Sequence, residues 1–259
     1  MNHAGLLDLP GPLLGFVDAA MAALHAPALL RVLLWGALGG ALSMAIYRRT
    51  SPQQRLAALR AELAELQPRI VAHDGEFAEL RGLIARQLSL ALRQLGLTLG
   101  PALLGALPLF LLLPWLSQRF GSTEPAAGTP VAVCAEPASV PLHWQPDAGI
   151  VATDPGCWRV AWPTAAAPRV LLAADGRELL RLPLPAPSDV VAPWHPLNGL
   201  VGNPAGYLPA EAGVDAVHLA LATPSLLPWG PAWLRGWEAP FFFAVFAASL
   251  ALKRYWRVL

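Results

Sequence analysis

The chain has 259 residues, 55% of them apolar and 14% charged, with a positive mean hydropathy of +0.47. That balance is too apolar for an ordinary soluble domain and points to membrane spans. The formal net charge of +1 gives no electrostatic basis for a nucleic-acid partner.

Residues 1–28 read as an exterior amphipathic segment. Leu13, Leu14, Phe16, Val17, Ala20, Met21 and Leu24 accompany Asp18 and His25, and Pro27 turns the chain. Such a segment suits the surface of a bilayer, or else the first span begins earlier and is tilted. Its acids and prolines, without a basic leader, do not fit a cleaved signal peptide. Residues 29–47 form the first expected span, with Arg31 as an intramembrane basic residue near one end, where its side chain reaches the headgroups.

Residues 48–94 carry an Arg-rich heptad pattern of coiled-coil type. Leu56, Leu59, Leu63, Leu66, Ile70, His73, Phe77, Leu80 and Ile84 recur three and four apart. Ser51-Pro52 starts a helix, Pro68 kinks or breaks it, and Asp74-Gly75 marks a turn, so a helical hairpin is expected. Its second arm starts at Glu76 and runs toward or into residues 95–116, 22 residues without a charge and the second expected span.

From about residue 120 the composition turns to Pro, Ala, Gly and Val. Strands are expected at 131–134, 158–162, 169–173, 178–182 and 215–221, with a hairpin turn at Ala174-Asp175-Gly176 and loops such as 193–213. Residues 120–231 therefore read as a small, mainly-β exterior domain of sandwich type. Cys134 and Cys157 both fall in it, where an oxidising compartment permits a disulfide. Residues 233–255 form a short third span: 239–252 carry no charge, and Trp233, Trp237, Tyr255 and Trp256 frame them. Residues 256–259 are the tail.

Arginine placement orients the whole. Arg48, Arg49, Arg55, Arg60, Arg69, Arg81, Arg86 and Arg93 lie between the first two spans, and Lys253, Arg254 and Arg257 end the chain. Both regions are expected in the cytoplasm, with the N-terminus and β domain in the periplasm of a bacterial inner-membrane protein. The fold class is thus a membrane protein of three transmembrane helices, a cytoplasmic helical hairpin and an exterior β domain.

The segment SPQQRLAALRAELAELQPRIVAHDGEFAELRGLIARQLSLALRQLG, feeding LTLGPALLGALPLFLLLPWL, and the terminal WLRGWEAPFFFAVFAASLALKRYWRVL resemble the YidC/Oxa superfamily of membrane-protein insertases. The likeness is to its three-span branch, which includes the archaeal YidC-like proteins and the insertase subunit of the endoplasmic-reticulum membrane complex. It covers roughly residues 12–120 and 232–259. The connection of about 110 residues between the last two spans departs from that branch. The resemblance implies an insertase or membrane chaperone with membrane-protein clients, and no cofactor. Ser43, Arg86, Gln87, Arg93, Gln94 and Thr98 would line a polar cytoplasmic mouth. The other reading is a structural or assembly subunit of a larger membrane complex that binds a fixed partner through the β domain.

Catalytic motifs are missing from the sequence: there is no G-x-S-x-G, H-E-x-x-H, Walker or Rossmann pattern, and an enzyme is not expected. Cys134, His143, Cys157, His195 and His218 share one domain, but their spacing matches no compact metal motif.

Overall fold

A computed structural model describes residues 4–211 and 213–256. Arg257 and the rest of the expected tail beyond Trp256 lie outside the described residues. After a 3-10 turn at Leu6–Asp8, the elements are α1 (Gly11–Ala23), α2 (Ala28–Thr50), α3 (Gln53–Val71), α4 (Phe77–Phe120), β1 (Pro130–Glu136), β2 (Leu142–Gln145), β3 (Ile150–Asp154), β4 (Cys157–Ala161), β5 (Arg169–Ala173), β6 (Glu178–Leu182), β7 (Val190–Val191), β8 (Ala216–Leu219), α5 (Ala232–Arg235) and α6 (Glu238–Trp256). They fall into two compact units, one of residues 30–112 and 240–256, the other of residues 4–29 and 113–239.

Three helical stretches are long and apolar enough to cross a membrane: Leu6–Ala23, Ala28–Thr50 and Phe77–Phe120. The second and third contain the expected spans 29–47 and 95–116. The first takes in the 3-10 turn, and its α-helix proper has 13 residues, about 20 Å of rise, against a hydrocarbon core of about 30 Å. The region expected as a third span forms α6, of 19 residues. It stands apart from the three because Glu238, Lys253 and Arg254 bracket its charge-free stretch.

In the first unit, α2 supplies a small-residue face to two neighbours. A Cβ on Gly36 would meet the Phe241 carbonyl oxygen at 2.5 Å, and one on Gly40 the Val245 carbonyl oxygen at 2.6 Å. Both glycines let the backbones of α2 and α6 approach as small-xxx-small faces do. The pairing of 36 with 241 and 40 with 245 means that α2 and α6 run parallel. Gly39 faces Leu109 and Leu112, whereas Gly105 faces Ser43 and Tyr47, so α4 runs antiparallel to α2.

α3 and α4 form the expected hairpin, with two corrections. Pro68 does not end α3: it sits in the last turn, where only the bond to Ala64 is forfeited, and the helix continues to Val71. The seam on the second arm also shifts. Leu59, Leu66 and Leu90 make a buried cluster with Leu63, Leu83 and Leu97 packed against it, whereas Phe77 is 77% exposed and Ile84 48%. Residues 72–76 leave helical conformation and reset the phase, so the spacing that holds along α3 does not carry through the turn. The α4 seam is Leu80, Leu83, Gln87, Leu90, Gln94 and Leu97, a heptad with glutamines in two of its positions. Arg86 donates to the Glu62 carboxylate at 2.6 Å across the hairpin.

In the second unit, two antiparallel sheets share one core. The strand orders are β3-β4-β1-β8-β7 and β2-β5-β6. Val131, Val133, Val160, Val217 and Leu219 from the larger sheet meet Trp144, Leu171, Leu180 and Leu182 from the smaller, as in an aligned sandwich. All five expected strands are present; β2, β3 and β7 were not expected. The Asp175-Gly176 turn joins β5 to β6, with Gly176 at φ +81°, where a side chain would be strained. Cys134 and Cys157 are directly paired across β1 and β4 and joined by a disulfide.

Candidate functional site

The helical unit gathers the residues expected at a polar mouth along α4. Arg86 and Arg93 are exposed on one flank, seven residues apart. Gln87 and Gln94 are half-buried on the hairpin seam. Thr98, one turn further, donates its hydroxyl to the carbonyls of Gln94 (3.1 Å) and Leu95 (3.0 Å), a back-bond that satisfies the hydroxyl within its own helix.

Ser43 is placed elsewhere. It lies on α2 with its carbonyl beneath Gly105, and its Oγ is buried and without a hydrogen-bond partner among the described residues. Gly105 is seven residues beyond Thr98, about 10 Å along the helix. Ser43 is therefore a polar atom in the α2–α4 contact, while the other five residues belong to the hairpin and its root. Arg31 sits on the first turn of α2, half-buried.

Two concavities flank these residues. An open groove of about 630 Å³ runs between the hairpin arms, with Arg60, Leu63, Ala64 and Gln67 on α3 and Ile84, Gln87, Leu88 and Ala91 on α4. Its floor is apolar and its polar rim consists of one arginine and two glutamines. A second, of about 510 Å³, lies at the C-terminal ends of α2 and α6, lined by Ala45, Ile46, Arg48, Arg49 and Trp256. There the Arg48 guanidinium stands 5.1 Å from the centre of the Trp256 ring, a cation–π contact between the two parallel helices.

The face of α4 opposite the seam is bare. Leu88, Leu92, Leu95, Leu99 and Leu103 are each more than half exposed, and side chains added at Gly96 or Gly100 would meet open space. This stripe runs unbroken from the hairpin arm into the apolar part of the same helix.

In the β-sheet unit the histidines are dispersed. His218 Nε2 lies 3.2 Å from a Glu136 carboxylate oxygen, and the His195 backbone N–H donates to Asn198 Oδ1. The disulfide removes both thiolates from any metal chemistry. Among the described residues no group of three or more His, Cys, Asp or Glu side chains is arranged to hold a metal ion.

Two acids found here carry a structural role that the sequence did not signal. Asp18, fully buried on α1, accepts from Arg119 Nε at 3.0 Å. Asp8 accepts backbone N–H bonds from Gly5 (2.8 Å) and Gly202 (2.7 Å) and a bond from Gln118 Nε2 (3.2 Å). Apart from Gly5, the partners lie 101 to 194 residues from these acids, and partners so distant leave no periodic trace.

No family model, no curated protein and no solved structure matches the chain.

Proposed function

We propose that this chain is a YidC/Oxa-like membrane-protein insertase or membrane chaperone of three passes, with its hairpin in the cytoplasm and its β domain outside. The packing directions carry the reading. α2 and α6 run parallel and α4 antiparallel to α2, which is what three successive passes require. The arginines of the hairpin and the basic ends of α2 and α6 then share the cytoplasmic side, in agreement with the positive-inside rule. α6 completes the third pass despite its short apolar stretch, and such a short span favours local thinning of the bilayer. In this reading the stretch Leu6–Ala23, although long enough to cross, lies along the outer surface, with Asp18 of α1 paired to Arg119.

The continuity of α4 supports assistance to entering segments. One helix bears the glutamine-rimmed hairpin groove and, on another face, a bare apolar stripe that leads toward the bilayer. A client segment meets polar side chains where it is still hydrated and leucine where it becomes embedded. That arrangement lowers the cost of moving a polar flank through lipid.

Depletion of the protein followed by quantitative proteomics of the membrane fraction tests this. Loss of a range of small membrane proteins is expected. Loss of the subunits of one complex, with a stoichiometric partner on purification, would instead make the chain an assembly subunit.

A further inference from the structure

Leu6–Asp8 and α1 leave one face of the N-terminal segment apolar, because both of its acids are consumed inward, Asp8 on backbone amides and Asp18 on Arg119. The outward positions include Leu13 (66% exposed) and Phe16 (73%). Beside this segment lies the loop 194–201 of the β-sheet unit. Leu7 N–H donates to the Leu200 carbonyl at 2.8 Å, and a Cβ on Gly5 would strike the same carbonyl, so the two segments lie backbone against backbone. That loop, WHPLNGLV, contains no Asp, Glu, Lys or Arg, and it too turns its apolar side chains outward: Trp194 is 57% exposed, Leu197 75% and Leu200 47%.

We infer that loop 194–201 is a lipid-inserting foot by which the β domain stands on the outer leaflet beside α1. The inference rests on the membrane reading of the long helices. Only residues 24–27 separate α1 from α2, and four residues span at most about 14 Å. α1 therefore stays near the point where α2 enters the bilayer, and the hydrogen bond to Leu200 keeps the loop with it. An apolar surface without Asp, Glu, Lys or Arg and with a tryptophan at its edge matches the zwitterionic interfacial region, where amphipathic rings sit at headgroup level and leucines reach the upper acyl chains. Because the loop carries no Lys or Arg, its insertion is driven by apolar burial and, at a pH well above the ordinary histidine range, is insensitive to the anionic lipid fraction.

The test uses the full chain in phosphatidylcholine vesicles, with an environment-sensitive fluorescent amino acid at position 197 or, separately, 194. Lipids carrying a nitroxide high on the acyl chain are expected to quench both positions by about twofold, with the same probe at exposed Val151 unaffected. Replacing part of the lipid by phosphatidylglycerol is expected to leave the quenching unchanged. Quenching by aqueous iodide instead, or shielding from iodide and nitroxide alike as a second copy or another protein would produce, overturns the inference. A probe at Leu103 separates the layers. If it is quenched by deep nitroxides while 194 and 197 stay silent, the foot is refuted and the membrane reading stands; if it too stays silent, both fail.

Discussion

The glycines of α2 show how much a single hydrogen atom in place of a side chain decides. Gly36 and Gly40 sit against backbone carbonyls that cannot rotate away, whereas Gly100 faces open space. Gly36→Ala and Gly40→Ala should each cost about 1–3 kcal/mol of helix-pair stability, read as a lower unfolding temperature in detergent. Gly100→Ala should cost nothing, and a loss there equal to that at Gly36 would refute the packing described. That α2 carries Gly36, Gly39 and Gly40 is plain in the sequence; which neighbour each one meets is not, because spacing along one helix says nothing about the partner. Charge pairs differ in the same way. The Arg181 side-chain hydrogen bonds hold the Glu178 carboxyl below its usual range, and the Arg181 guanidinium is raised in return. A depressed folded pKa contributes stability above the unfolded value of about 4.5 and loses it as pH falls through the folded one. Because the pair is exposed, the effect on stability is small. The NMR titration midpoint of Glu178 should lie below the usual glutamate value and return to it in Arg181→Gln; an unmoved midpoint would contradict the pairing.

At the scale of elements, the hairpin separates local from non-local information. Its existence follows from Ser51-Pro52, the leucine spacing and Asp74-Gly75, all local signals. The seam of its second arm does not, since five non-helical residues stand between the arms and nothing local carries phase across them. Leu90→Ala should therefore destabilise the hairpin by about 2–3 kcal/mol, while Ile84→Ala, at a half-exposed position, should stay within about 0.5 kcal/mol. Hydrogen exchange along α3 reads the difference, and the reverse ranking would restore the unshifted heptad. In the β-sheet unit the strands rich in valine and leucine were visible, but β2 and β3 were hidden by neighbouring prolines and by the exposure of most of β3. The Cys134–Cys157 bond closes a loop between adjacent strands, with 23 residues of separation. Removing it by paired substitution with serine should cost this unit about 3 kcal/mol. An unchanged unfolding temperature under reducing and oxidising conditions would show that the bond contributes nothing.

For the whole molecule, the proposed function requires the basic hairpin on one side of the bilayer and the β sandwich on the other. Arginine counts give an orientation to propose, because electrostatics acts on composition; the ties that hold α1 to the sandwich have no such signal, because Asp8 and Asp18 find partners that the sequence places far away. The central claim is that the root of the hairpin receives segments entering the bilayer. Photocrosslinking from Gln87 and Gln94 in membranes that are translating membrane proteins tests it most directly. The account predicts adducts with the apolar segments of several different nascent chains, appearing during synthesis and fading after release. Adducts with lipid alone, or with one fixed subunit whether or not translation proceeds, would contradict it.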